Sequence, residues 1–89
     1  MKTRKLVLAK SSGLHAQACA RIVNIAKRCR CRLSLVVNGR RVSARSIVAV
    51  MIIAASVRGT VRVEADGPDE DLAIREIATL FHDGLGERI

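Results

Sequence analysis

Leu33-Ser34-Leu35-Val36-Val37-Asn38-Gly39-Arg40-Arg41-Val42-Ser43, LSLVVNGRRVS, is the stretch whose reading decides the fold. Leu33, Leu35 and Val37 alternate with Arg32, Ser34 and Val36, the period of a strand with one buried face. The run enters Asn38-Gly39, the strongest short-range hairpin signal, and Arg40 to Ser43 returns as the antiparallel partner. A tight hairpin therefore sits at the middle of the chain, and the other elements must be arranged around it.

Working outward toward the N-terminus, Lys5 to Leu8 alternates as a strand and Ser11-Ser12-Gly13 breaks it. From Ala16 the period changes: Cys19, Ile22, Val23 and Ala26 share one helical face, while Gln17, Arg21, Asn24 and Arg28 lie elsewhere. This predicts a helix with a basic outer side, and Lys27, Arg28 and Arg30 at its end complement the macrodipole. Working toward the C-terminus, Ser46 is placed to N-cap a short helix from Ile47 to Ala55 that is apolar on nearly every side. Such a helix is either buried all round or presents an apolar face to a partner. After Gly59, Val61, Val63 and Ala65 alternate with Thr60, Arg62 and Glu64 as a strand. Pro68 then falls where a first helical turn tolerates it, followed by negative charge at Asp69, Glu70 and Asp71. Ala73, Ile74, Ile77, Ala78, Leu80 and Phe81 form the apolar face of that last helix, and Gly84 stops it. The order β-α-β-β-α-β-α predicts an α+β fold, a four-stranded antiparallel sheet with three helices on one face and the other face partly solvated. Ferredoxin-like RNA-binding modules share that order.

At 89 residues the chain predicts a single domain, 1–89, with one modest core, so any function sits on one small surface. The longest apolar run, Ile47 to Val57, is too short to span a bilayer, and MKTRKLVLAK has no signal-length apolar core. A cytoplasmic monomer without a membrane partner is the expectation. Cys19, Cys29 and Cys31 include no CxxC pair and no histidine at ligand spacing, which argues against a zinc site or disulfide framework, and no metal or cofactor is expected. Cys19 falls on the apolar helical stripe and reads as a buried small hydrophobe; Cys29 and Cys31 read as half exposed and reduced. Sixteen Lys and Arg against 8 Asp and Glu give +8, which implies an acidic partner. With Phe81 the sole aromatic residue, the stacking platform of single-strand binders is missing, and an acidic protein is as plausible a partner as nucleic acid.

His15 lies between the glycine-containing turn and the first helical pattern, in Gly13-Leu14-His15-Ala16. A helix starting near Ala16 leaves its first backbone N–H groups without intrahelical acceptors, an anion-binding arrangement. The helix field disfavours imidazolium there, so the ring is biased toward its neutral, nucleophilic form, and the same field stabilises a phosphoryl group once the ring carries one. His82, near the end of the last helix, has no such setting and reads as a surface or capping residue.

These residues give the chain a resemblance, over about residues 3 to 86, to the histidine-containing phosphocarrier (HPr) family of the bacterial phosphoenolpyruvate-dependent phosphotransferase system. It rests on Gly13-Leu14-His15-Ala16, on Asn38-Gly39 followed by Ala44-Arg45-Ser46-Ile47, on the apolar Met51–Ala55 segment with Gly59 after it, and on Asp66-Gly67-Pro68-Asp69-Glu70. Gly67-Pro68-Asp69-Glu70 with Leu80-Phe81 and Gly84 is more similar to the nitrogen-related branch than to the sugar-transport branch. The resemblance implies an open-faced β-sandwich and a phosphoryl group received on His15 from Enzyme I and passed to an Enzyme IIA, with no turnover of its own. It implies a docking face on the first two helices, apolar at Ile47, Val48 and Met51 and ringed by Arg21, Lys27, Arg45 and Arg28. Ser46 matches a site that a dedicated serine kinase phosphorylates in some members. Where the family continues His-Ala-Arg-Pro, this chain has Ala16-Gln17-Ala18 after the histidine. Gln17 offers the phosphate a neutral hydrogen bond in place of a charged one, while Ala18 restores a backbone N–H that proline lacks. Two other readings stand beside the carrier: a regulatory binding protein of the same fold that docks without transfer, and a small basic RNA-binding module.

Overall fold

In the computed structural model, which describes residues 1–7, 16–55 and 60–82, Asn38 and Gly39 both adopt positive φ, 52° and 80°. That is the type I′ geometry whose twist matches the flanking strands. The strands it joins are β2 (Arg32–Val37) and β3 (Arg40–Ser43), paired with Leu35 opposite Val42 and Val37 opposite Arg40. Around them the chain forms β1 (Lys2–Val7), α1 (Ala16–Arg28), α2 (Ile47–Ala54), β4 (Thr60–Asp66) and α3 (Glu70–His82), in the expected order. The sheet is antiparallel with spatial order β1-β4-β2-β3, so β4 lies between β1 and β2.

Residues directly opposite in an antiparallel pair share a face. Leu33 faces Ala65 and Leu35 faces Val63 across β2 and β4, and Leu6 faces Val61 across β1 and β4. All six are buried, and over them lie Cys19 and Ile22 of α1, Val50 and Ile53 of α2, and Ala73, Ile77 and Phe81 of α3. The three helices thus bury their apolar faces against one side of the sheet.

On the other side, Ser34 faces Glu64 and Val36 faces Arg62 and Arg41. The Glu64 carboxylate accepts from Arg41 Nε at 2.8 Å and stands 3.5 Å from Arg62 Nε. The arginine stems span the pleat, and Ser34, Val36 and Glu64 are left at most 9% exposed on a face with no helix.

Three local expectations change. Strand β1 starts at Lys2 rather than Lys5, because β4 offers partners as far as Ala65, and Leu8 lies outside the described residues. Its alternation is masked in the sequence: Lys2 and Arg4 occupy the core-side positions at the sheet edge, where Lys2 Nζ reaches Asp71 of α3 at 3.5 Å. Cys29 is buried, not half exposed, since its N–H donates to Ile25 O at 3.1 Å, extends the α1 turn and folds the thiol under α3, 4.0 Å from Glu76. Cys31 is half-buried as expected. Pro68 precedes α3 instead of occupying its first turn; the carbonyl of Asp69 accepts the first helical bond, from Ala73 at 2.9 Å.

The corner before α3 is stitched to the end of α1. Asp69 Oδ2 accepts from the Arg30 N–H at 2.7 Å and the Asp69 N–H donates to Arg30 O at 3.1 Å. Gly67, at φ 147°, lies so close that a Cβ there would stand 2.7 Å from Cys31 Cα and 2.8 Å from Arg30 O. Gly67→Ala is expected to cost about 2–4 kcal/mol in urea unfolding, from overpacking against backbone plus the strained φ. Gly39→Ala, where a Cβ meets nothing within 4 Å, should cost about 1 kcal/mol from φ alone.

Glu70 accepts from the Gly67 N–H at 3.1 Å and pairs with the N-terminal ammonium at 3.3 Å. The Gly67 bond, foremost, holds its carboxyl below the ordinary value of 4.5. A depressed folded-state value contributes stability above the ordinary carboxyl range and loses it as pH falls through the folded one. The stability gap between the protein and Glu70→Gln should therefore be full at neutral pH and close below pH 4.5.

Candidate functional site

The candidate site is built on the two helices that precede and follow the hairpin. Helix α1 begins at Ala16, and Ala18, Cys19, Ile22, Val23, Ile25 and Ala26 hold its inner face against the core. Ala16, Gln17, Arg21, Asn24, Lys27 and Arg28 are exposed, which is the basic outer side read from the period. Ala16 and Gln17 thus stand open at the first turn, whereas Ala18 is fully buried. His15, Gly13 and Leu14 lie outside the described residues, as do Gly59 and Gly84.

Helix α2 packs against α1 and β3. Ser46 is its N-cap, with φ −99° and ψ 109°; its Oγ accepts from the Ala49 N–H at 3.2 Å and its carbonyl from the Val50 N–H at 2.9 Å. Arg45, exposed, is fixed by its own N–H donating to Ser43 Oγ at 3.2 Å. Helix α2 is not buried all round. Val50, Ile53 and Ala54 are buried, while Ile47, Val48, Met51 and Ile52 are exposed, Val48 by 64% and Ile52 by 57%. Sequence reasoning missed Ile52, although it stands one helical turn after Val48 and so extends the same face.

The charged ring is less uniform than the resemblance implies. Arg28 is committed to α3, its Nη2 3.0 Å from Glu76 Oε1. Arg21 lines a hollow of about 410 Å³ between α1 and α3, with Asn24, Glu76 and Thr79. Arg21 and Lys27 are six residues apart, which sets them roughly 120° apart around the axis. The two cations therefore flank α1 on different sides.

Burial, above all, pushes the thiols of Cys19, Cys29 and Cys31 upward, with Glu76 adding to the effect at Cys29 and Cys29 at Cys31. They stay protonated near neutral pH and are poor nucleophiles. Among the described residues no cluster of three or more His, Cys, Asp or Glu is arranged to hold a metal, and no helix is long and apolar enough to cross a membrane.

A helix opening just after a histidine, beside an apolar helix capped by serine, is the arrangement implied by the phosphocarrier resemblance, and the family model described as "PTS HPr component phosphorylation site" matches residues 2–83. The chain belongs to the HPr family of the phosphotransferase system. It is 37% identical over 87 residues to the phosphocarrier protein HPr of Cupriavidus necator, covering 98% of each chain, and 36% identical over the same length to that of Xylella fastidiosa strain 9a5c, again 98% of each. Its fold is similar to the crystal structure of HPr-C-His from Thermoanaerobacter tengcongensis, with TM-score 0.88 and 28% identity over the whole of both chains. The open-faced β-sandwich of this HPr family is the architecture found here.

Within that fold the cap at Ser46 has a separable contribution. Ser46→Ala should lower stability by about 1 kcal/mol, whereas Ser46→Asp, an equally good cap, should leave it within about 0.5 kcal/mol; urea unfolding of both variants checks this.

Proposed function

We propose that the protein carries a phosphoryl group on His15, received from Enzyme I and delivered to an Enzyme IIA of the phosphotransferase system. The observation that carries this reading is the start of α1 at Ala16, the residue that follows His15 in the chain, inside a family match named for a phosphorylation site. A bond from a His15 ring nitrogen to phosphorus forms as the donor's bond to phosphorus breaks, and the reverse exchange discharges it. First-turn amides such as those of Ala16 and Gln17 lack intrahelical acceptors and suit the added negative charge. Ala18, buried, is the weaker candidate for that role.

Docking in this reading uses the exposed Ile47, Val48 and Met51 as an apolar centre, together with the exposed cations Arg45, Lys27 and Arg21. Desolvating that centre supplies affinity, and the cations select acidic partners. Ser46 sits beside this centre with its hydroxyl on an exposed helix cap. A phosphate added there by a serine kinase is electrostatically comfortable at the helix N-terminus and places negative charge on a basic docking face, which weakens docking.

Gln17 favours a second reading, a regulatory protein that docks without transfer. Intact mass after incubation with phosphoenolpyruvate, Mg²⁺ and Enzyme I separates the two. An acid-labile gain of one phosphoryl group, absent in His15→Ala, is the expected outcome; no gain with Enzyme I still bound would establish the regulatory reading instead. Gln17→Arg should lengthen the lifetime of the phosphorylated form by about 5-fold, the worth of roughly 1 kcal/mol between a charged and a neutral hydrogen bond. Met51→Glu should keep the fold yet weaken Enzyme I binding at least ~10-fold, and unchanged affinity would remove α2 from the docking face.

A further inference from the structure

A hollow of about 600 Å³ lies past the C-terminal end of α1, walled by Arg30, Arg32 and Arg45, with Cys31, Ser43 and Gly67 between them. Helix α1 has 13 residues and is therefore ~20 Å long, which separates this hollow from the end of the helix at Ala16.

The hollow holds a surplus of positive charge on a fixed frame. Among the described residues, none of the three guanidinium groups is in an ion pair. The neighbouring carboxylates have other partners: Asp69 Oδ2 accepts from the Arg30 backbone N–H at 2.7 Å, and Asp66, which also lines the hollow, stands 3.8 Å from the N-terminal ammonium. The backbone under each arginine is tied down. Arg30 is bonded both ways to Asp69, Arg32 lies in β2 opposite Asp66, and the Arg45 N–H donates to Ser43 Oγ. Gly67 packs its backbone on Cys31 and Arg30, leaving no room for a side chain on that wall.

Guanidinium groups match phosphate oxygens two at a time, and the three arginines that line this hollow carry more positive charge than a single phosphate balances. The volume is that of a small-molecule site. We propose that this hollow binds a compact polyphosphate group, either free, as inorganic pyrophosphate, or as the phosphate tail of a nucleotide. The site lies away from the start of α1 at Ala16 and shares only Arg45 with the docking reading.

The test is a titration of the ¹⁵N-labelled protein with inorganic pyrophosphate, and separately with ATP and adenosine, in ~50 mM salt. Saturable shifts at the amides of Arg30, Arg32, Arg45 and Gly67 are expected. Tighter binding of ATP than of pyrophosphate would identify the nucleotide as the source, and the reverse the free polyphosphate. Arg32→Ala should weaken binding about 10-fold, the loss of one charge-assisted contact. Arg75→Ala, which removes the same charge from the exposed surface of α3, should change it less than about 2-fold. Equal weakening by both variants, shifts confined to Ala16 and Gln17, or no saturable shift would each overturn the proposal.

Discussion

The antiparallel ladder between Arg32–Val36 and Arg62–Asp66 is the contact on which the rest of the molecule depends. It inserts β4 between β1 and β2, so that within the sheet the edge strand β1 pairs only with β4 and the hairpin strand β3 only with β2. The same ladder stacks Leu33 on Ala65 and Leu35 on Val63, the floor on which all three helices rest. Its pairings join residues about thirty positions apart, so loop closure must precede them and they bring the two halves of the chain together. The corner at Gly67 then completes the closure, because Asp69 can meet Arg30 only when the Gly67 backbone lies flat against Cys31.

Charge is distributed by the same topology. Arg41 and Arg62 are drawn over the open sheet face by Glu64, and Arg28 is drawn to α3 by Glu76. Lys2 and the N-terminus are occupied by acids of α3 and the end of β4. Among the described residues, Arg21 and Lys27 on the outer side of α1, and Arg30, Arg32 and Arg45 around the hollow past its end, are in no ion pair. Part of the net charge of +8 thus shelters the sheet, and part stays unpaired at the surface.

Helix α2 shows what a short apolar helix costs. Eight residues cannot sustain a helix by hydrogen bonding alone, and capping by Ser46 and packing of Val50, Ile53 and Ala54 hold it in place. Val48, Met51 and Ile52 keep about half or more of their surface exposed after folding. A contiguous exposed apolar surface of this kind is the physical basis for the proposal that α2 is a docking element.

The sequence by itself determined the elements and their order, because those are written in short-range chemistry. Asn38-Gly39 admits the positive φ of a hairpin turn, the 3.6-residue period of Cys19, Ile22, Val23 and Ala26 specifies a buried helical stripe, and Ser46 before Ile47 specifies a cap. The motif around His15 and the apolar character of α2 were equally legible, being properties of adjacent residues. Tertiary structure decided what depends on neighbours distant in the chain. Lys2 and Arg4 look nothing like strand residues until β4 supplies their partners, and Cys29 is buried only because α3 folds over it. The position of Arg21 on the flank facing α3, and the convergence of Arg30, Arg32 and Arg45 on one hollow, follow from packing and register. No local pattern encodes these, since burial and proximity arise from pairing and packing among segments that the sequence keeps apart.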